Sequence, residues 1–412
     1  MTFQSLDLEP RLLKGVEALG YTSPTPIQRE AIPHILKGAD VVGCAQTGTG
    51  KTAAFVLPTL HRIKPRSGLK ALIVTPTREL ALQIGEVARD AARFTGHRFV
   101  VIHGGVGYEP QLQKIRRGVD MVVATPGRLL DIHNRGVLDL SGVEVLVLDE
   151  ADRMLDMGFW PDVRKIINLL PEKRQNLLFS ATMSSDVLRV VQSTLHEPVR
   201  VETAPTATPI EKIHQAIYPV NQMQKSDLLV ALLEHDHLER VLVFTRTKHR
   251  ADRVNRVLER SGIRSAAIHG DRSQSQRQKA LDSFKAGKTR VLVATDVVAR
   301  GIDVDEITHV INYDMPNSPD DYVHRIGRTA RAGASGSALS FLAYEENAQL
   351  QDIERQIEMT IACEDLEGFA YKDRIVPAAD RPVPSKSRAV FSSGVMGRRG
   401  GRQGGRGRIG RR

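Results

Sequence analysis

The run Ala45, Gln46, Thr47, Gly48, Thr49, Gly50, Lys51, Thr52 holds the residue types that surround a phosphate chain. Glycines let backbone N–H groups turn inward onto phosphate oxygens. Lys51 supplies a point charge for the outer phosphates, and the Thr52 hydroxyl can ligate Mg²⁺. The usual pattern opens with Gly, and Ala45 stands there, while Gly48 and Gly50 are kept. Such a loop needs a carboxylate at the end of another strand to hold the metal. Asp149, Glu150, Ala151 and Asp152 follow directly on the apolar run Val145–Leu148. Asp149 is placed to bind the cation through water, and Glu150 to orient and deprotonate an attacking water. Residues 324–331, HRIGRTAR, space Arg325, Arg328 and Arg331 by three, so on a helix they would share one face. Arginines presented in this way can neutralise a transferring phosphoryl group. The same spacing also suits a solvated basic face or a nucleic-acid patch.

These residues must be held by regular elements. Short apolar runs predict strands at 40–44, 71–75, 99–103, 121–124, 145–148 and 176–179. A second set lies at 241–245, 266–269, 291–294, 309–312 and 338–342. Most are continuous rather than alternating, as expected of strands buried on both faces of a parallel sheet. Helical patterns lie between them, for example over 79–94 and 248–261. Strand–helix–strand repetition predicts α/β domains with central parallel sheets. The halves also echo each other. ALIVTPTREL (71–80), VVIHGG (100–105) and DMVVATPGRLLD (120–131) return in the same order as RVLVFTRTKH (240–249), AAIHGD (266–271) and RVLVATDVVARGID (290–303). Two similarly folded domains in tandem follow. We place them at 1–202 and 213–360, with the Pro- and Thr-rich stretch 203–212 as linker and 361–412 as a further linker and tail.

Composition narrows the function classes. The 412 residues are 41% hydrophobic and 26% charged, which excludes collagen-like, wholly disordered and polytopic membrane chains. Cys44 and Cys363 cannot build a disulfide framework, and no Cys/His cluster has zinc spacing. The start MTFQSLDLEP has no apolar secretory core, so a cytoplasmic location is the default and no membrane partner is expected. The net charge is +10. Residues 397–412 contain seven Arg, seven Gly and no acid, so they supply +7 and leave +3 for the rest. A Gly-rich tail of one sign cannot bury a core and points to polyanions, nucleic acid first.

Taken together, the motifs closely resemble those of the DEAD-box ATP-dependent RNA helicases over about residues 3–345. Carrying the resemblance are residues 20–28 (GYTSPTPIQ), with Phe3 seventeen residues before Gly20, the tetrad 149–152, and Ser180, Ala181 and Thr182. PTRELA (76–81), Gly104 with Gly105, and TPGR (125–128) fall in the family's order. So do Gln274 with Arg277, residues 294–303 and residues 324–331. Ala45 is itself this family's habit. The Arg-rich tail and short body look most like the bacterial RhlE-type branch.

The resemblance implies two tandem RecA-like domains and roles for named residues. Tyr21 would stack on adenine and Gln28 would hydrogen-bond its edge, selecting ATP. Residues 45–52 would hold the phosphates, with Mg²⁺ on Thr52 and Asp149. Asp303 would meet the ribose. Arg328 and Arg331 would be arginine fingers, and His324 would link nucleotide to RNA. Ser180 and Thr182 would couple hydrolysis to strand separation. RNA would run along Pro76, Thr77, Arg78, Glu79, Gly105, Thr125, Pro126, Gly127 and Arg128 in the first domain. Arg246, Gln274, Arg277, Thr295 and Asp296 would face it from the second. Such contacts go to phosphate and 2′-hydroxyl groups and select RNA without reading sequence. The resemblance implies an RNA-dependent ATPase that opens short duplexes as its two domains close. A DNA translocase, a catalytically silent RNA scaffold and a chaperone acting through the tail alone are the competing classes. Lys51, Glu150 and Arg328 are all present, which speaks against the scaffold. The target RNA is open among ribosome biogenesis, mRNA decay and cold adaptation. If the tail adds RNA affinity, deleting 397–412 lowers both the affinity and its salt slope and spares basal ATPase. An unchanged slope in a filter-binding titration across salt concentrations would rule that role out.

Overall fold

The computed structural model describes residues 2–45, 48–202, 213–235, 238–296, 307–330 and 336–378. Gln46, Thr47, Asp303, Arg331, the expected linker 203–212 and the Arg/Gly tail lie outside them.

Seven strands form the first sheet: β1 (Val41–Cys44), β2 (Ala71–Val74), β3 (Phe99–Ile102), β4 (Met121–Ala124), β5 (Val145–Asp149), β6 (Gln175–Ser180) and β7 (Val199–Glu202). Their order is β3-β4-β2-β5-β6-β1-β7 and every pairing is parallel. The second sheet comprises β8 (Ile213–Pro219), β9 (Val241–Phe244), β10 (Ser265–Ile268), β11 (Val291–Ala294), β12 (His309–Asn312), β13 (Gly336–Leu342) and β14 (Ala362–Cys363). Its order, β10-β11-β9-β12-β13-β8-β14, is that of the first sheet, strand for strand. The three echoed sequence pairs fall on equivalent strands, β2 with β9, β3 with β10 and β4 with β11. The tandem-repeat reading is therefore carried by topology as well as by sequence.

Burial on both faces explains the continuous apolar runs. Ala71 and Ile73 of β2, Met121 and Val123 of β4, and Val145 and Val147 of β5 join one core layer. Their neighbours Leu72, Val74, Val122, Ala124, Leu146 and Leu148 join the layer on the opposite face. Alternate residues point to opposite faces of a strand, so a sheet covered by helices on both sides needs apolar residues at every position.

Sequence reasoning missed β7, β8 and β14. β8 opens Ile213, His214, Gln215 and carries no clean period, and β14 has only two residues, too few for any pattern. Residues 361–378 differ from the expected linker. Their backbone continues beside β8, where Glu364 N–H donates to Ile217 O at 2.8 Å. Ile361 and Leu366 are buried in separate core layers, and Tyr371 packs on the layer that holds Leu366. An isolated stretch of mixed polar and aromatic residues shows no periodicity when its order comes from docking on a sheet that is already built.

One buried charge network stabilises the second unit. Lys225, fully buried, donates from Nζ to Glu346 Oε2 at 2.5 Å and to Tyr313 O at 2.9 Å. Burial lowers the Lys225 pKa, and Glu346 opposes that fall. Glu346 also accepts from the Met315 and Ala343 N–H groups and from Arg246. Removing one partner of such a pair strands the other charge without compensation. Glu346→Ala is expected to lower the stability of the second unit by about 3–5 kcal/mol, read by urea unfolding of the full chain. An unchanged midpoint would show that the pair contributes nothing.

Candidate nucleotide site and adjoining polar face

Parallel pairing brings the C-terminal ends of β1, β6 and β5 side by side, and the candidate site lies at those ends. Beyond β1, Ala45 N–H donates to Ser180 O at 3.1 Å, tying the loop to the end of β6. Gly48 and Gly50 have φ of 86° and 91°, a region that favours glycine. Gly50 caps the helix Lys51–Arg62. A Cβ there would lie 2.4 Å from Gln28 Nε2. Gln28 Nε2 donates to Gly50 O at 3.0 Å while its Oε1 accepts from Thr25 N–H at 3.0 Å. Gln28 thus braces the phosphate loop from the helix Pro26–Leu36. Lys51 is buried, with Nζ donating to Ala45 O at 2.7 Å.

A cavity of about 480 Å³ opens over this loop. Tyr21, Gln28, Lys51, Thr52, Asp149 and Glu150 line it, so the expected adenine, phosphate and metal residues share one space. Phe3 stacks on Tyr21, ring centroids 6.3 Å apart. Asp149 is 2% exposed, and burial raises its carboxyl to about 7, with Lys51 pulling the other way and Glu150 adding to the rise. A buried acid held near neutrality gains from any cation brought beside it. Among the described residues no three His, Cys, Asp or Glu side chains cluster as a metal cage. One carboxylate and one hydroxyl beside a phosphate loop fit Mg²⁺, which takes few protein ligands and completes its shell with water and phosphate oxygens.

Glu150 adopts φ 53° as it leaves β5, and its Oε2 accepts from Arg153 Nη1 at 2.8 Å in a buried pair. Asp152 turns toward the loop after β6. Its Oδ2 accepts from Ala181 N–H at 3.1 Å, Thr182 N–H at 3.0 Å and Thr182 Oγ1 at 3.1 Å, while Ser180 Oγ accepts from Asp152 N–H at 3.3 Å. The residues expected to couple hydrolysis to strand separation are therefore in direct contact with the tetrad. Arg153 escaped the sequence reading, although its place three residues after Glu150 on a helix was the available signal.

A second polar face adjoins the cavity. Arg78 lies across Gly105, where a Cβ would come 2.0 Å from Arg78 Nη1 and φ is 79°. Arg128 Nη1 donates to Val106 O at 3.1 Å, and its guanidinium lies 4.0 Å from the Tyr108 ring centroid. Arg135 lies 4.1 Å from the same ring, and Tyr108 Oη donates to Asp131. Tyr108, missed from sequence, thus fixes Arg128. Thr125 stands at the N-cap of the helix Pro126–Asn134, which begins with Pro126 and Gly127, and Thr77 caps the helix Arg78–Ala91 by accepting from Leu80 N–H at 3.3 Å. Pro76 directly precedes that cap.

In the second unit, Arg246 N–H donates to Asp314 Oδ2 at 2.8 Å and its Nη2 to Glu346 at 3.2 Å. Gln274 and Arg277 reach the first unit. Gln274 Nε2 donates to Glu79 Oε1 at 3.1 Å and Arg277 Nη2 pairs with the same oxygen at 2.6 Å, all three side chains being buried. Burial lowers the Arg277 pKa, and Glu79 counters it. Asp296, beside Thr295, takes Arg325 in a bidentate pair at 2.6 and 2.8 Å. Arg325 also donates to Asn312 and to Asp314 O and lies over Phe244. Arg325 and Arg328 do not share the helical face expected of them, while Arg331 lies outside the described residues. The helix Pro319–Ile326 stops at Gly327, a residue that favours helix ends, so Arg328 follows it in a buried loop position and Arg325 is committed to its own unit. His324 sits half-buried in the last turn of that helix.

Two repeated parallel-sheet units with one phosphate loop, an acidic tetrad and contacts between the units define a nucleotide-driven helicase core. Residues 25–190 match the DEAD/DEAH box helicase family and 224–333 the helicase conserved C-terminal domain. The chain is 43% identical over 355 residues to the DEAD-box ATP-dependent RNA helicase CshA of Bacillus cereus, covering 86% of this chain and 68% of that one. It is 44% identical to the ATP-dependent RNA helicase RhlB of Pseudomonas syringae, covering 88% and 94%. Among solved structures, S. cerevisiae Dbp5 bound to RNA and ADP BeF3 matches with TM-score 0.80 and 31% identity, over 88% of this chain and 95% of that one. The DEAD-box helicase Mss116 bound to ssRNA and UDP-BeF matches with TM-score 0.82 and 28% identity, over 90% and 81%. The chain belongs to the DEAD-box ATP-dependent RNA helicase family, and its domains are RecA-like. No described helix is long and apolar enough to cross a membrane.

Arg153→Met leaves the Glu150 carboxylate buried without its cation. It is expected to lower kcat for ATP hydrolysis by about tenfold or more with little change in nucleotide affinity. Wild-type turnover in the variant would show that the pair plays no part in setting Glu150.

Proposed function

We propose that this chain hydrolyses ATP in the cavity over the phosphate loop and uses the cycle to open short RNA duplexes, or to strip RNA–protein complexes, by closing its two units on one strand. The observation that carries this reading is the Glu79 contact. The run beginning at Pro76 carries Arg78 of the polar face and Leu80 of the cavity lining, and its Glu79 is where Gln274 and Arg277 of the second unit touch the first. A ligand that gains contacts with both units only when they meet is bound cooperatively with any other ligand that does the same.

In this scheme Tyr21 and the Gln28 brace define the adenine end, and residues 45–52 with Lys51 hold the phosphates. Thr52 and Asp149 would hold Mg²⁺, which would supply Lewis-acid charge to the phosphates. Glu150, fixed by Arg153, orients and deprotonates the attacking water. Arg328 and Arg331 approach from the second unit as arginine fingers, His324 links the nucleotide to the RNA side, and Asp303 meets the ribose. The tie from Asp152 to Ser180 and Thr182 carries the change at the tetrad into the loop after β6. Arg78, Gly105, Thr125–Arg128, Arg246, Thr295 and Asp296 flank the RNA backbone, and a bent path between them excludes the partner strand. The Arg/Gly tail adds sequence-independent affinity. Membership of the RhlE-type branch rests on that tail and the short body alone, and the cytoplasm is the compartment this role fits.

Steady-state ATPase without nucleic acid, with single-stranded RNA, and with DNA of the same sequence tests the reading. RNA alone is expected to stimulate, and Glu150→Gln to reduce turnover at least a hundredfold. Equal stimulation by DNA would favour a DNA translocase. Absence of ATPase in all three would leave an RNA-binding scaffold.

A further inference from the structure

The helix Lys248–Arg260 buries Ala251, Val254, Asn255 and Leu258 and turns a uniformly basic stripe to solvent. His249, Arg253, Arg256 and Arg260 are all exposed. They stand four, three and four residues apart, so they share one line along the helix. The line runs about 16 Å at 1.5 Å per residue. Neither acid of this helix is paired directly with it. Asp252 accepts from His269 at 2.9 Å and Arg272 at 2.6 Å, and Glu259 accepts from Asn255 at 3.0 Å.

Some exposed cations on other helices are paired. Arg135, Lys165, Arg189 and Arg355 each pair with an Asp three or four residues away. Among the described residues, Arg253, Arg256 and Arg260 have no carboxylate partner; Arg256 makes only a bond to Asp252 O. Leaving three arginines unbalanced in one line costs self-repulsion, which a polyanion would relieve. The stripe also has a defined start. Thr247 caps the helix directly after Arg246, at the end of β9, so the line of charge leads away from the proposed RNA face.

We propose that this stripe carries the RNA strand where it leaves the cleft, tracking its phosphates along the outer face of the second unit. The proposal rests on the reading that RNA occupies the cleft. Cations every three or four residues suit a backbone with a charge every few ångströms. Arginine suits it further because its planar fork matches phosphate oxygens. The stripe reads no sequence; it lengthens the binding track and gives long RNAs an advantage over short ones.

The test uses the full chain and the triple variant R253Q/R256Q/R260Q. RNA binding is measured across salt concentrations for a short single strand that fills only the cleft and for a longer one that overhangs it. RNA-free ATPase is followed in parallel. Affinity for the long RNA is expected to fall about tenfold or more, and its salt slope by about 2, from three phosphates at roughly 0.7 each. Short-RNA affinity and RNA-free ATPase are expected to stay as in the wild type, and R253K/R256K/R260K to restore most of the loss. Equal losses on both RNAs, or none on either, would overturn the proposal. So would unchanged RNA binding with lost binding of polyglutamate, which would assign the stripe to an acidic protein partner. If the wild-type chain fails to bind the short RNA, the cleft reading itself falls and takes the stripe with it.

Discussion

Parallel pairing is the constraint on which the site depends. In a parallel sheet every strand ends at the same edge, so every loop that follows a strand opens on one side. With β6 seated between β1 and β5, the phosphate loop, the tetrad and the Ser180–Thr182 loop become neighbours although the phosphate loop lies about a hundred residues before the other two in sequence. No side chain has to reach far. Ala45 N–H meets Ser180 O across the β1–β6 boundary, and Asp152 meets the 180–182 loop across β5–β6. The same order in the second sheet sends Arg246, Thr295 and Asp314 to one edge of that unit.

That edge concentrates buried acid, and the structure offsets each carboxylate in its own way. Asp152 is satisfied by the N–H groups of Ala181 and Thr182. Glu150 is satisfied by Arg153. Asp149 accepts the Glu150 N–H and otherwise has Lys51 for electrostatic relief, and burial pushes its carboxyl up to about 7. The acid with the least protein compensation is the one that faces the phosphate loop. A cation there would complete what the fold leaves unfinished. A Lys51 pulled onto the Ala45 carbonyl is likewise a charge held in reserve beside the place where phosphates would sit.

Most of this was legible in the sequence because it is local. The phosphate loop, the tetrad and the strands that lead into them are each a few contiguous residues, and double-faced burial writes itself as unbroken apolar runs. What escaped was relational. Gln28 was read for adenine, but its contact with Gly50 crosses from one helix to another loop. Tyr108 looks like an ordinary loop aromatic until Arg128 and Arg135 are both found against its ring. The shared face of Arg325 and Arg328 failed because spacing of three implies a common face only while the helix continues, and Gly327 ends it. β7, β8 and β14 escaped because edge and docking strands owe their order to a neighbour.

The contact between the units has its own physics. Glu79 takes both Gln274 and Arg277 through Oε1, while Glu79 Oε2, Gln274 Oε1 and Arg277 Nε are buried with no protein partner. Each such atom costs about 1–3 kcal/mol where nothing satisfies it. A permanent interface would be expected to pair them, as the Lys225–Glu346 network does within the second unit. The Glu79 contact therefore joins the units through one strong charge pair while leaving donor and acceptor capacity unspent around it. Water, or a ligand entering between the units, can fill that capacity, so the free energy of this contact depends on what else occupies the cleft.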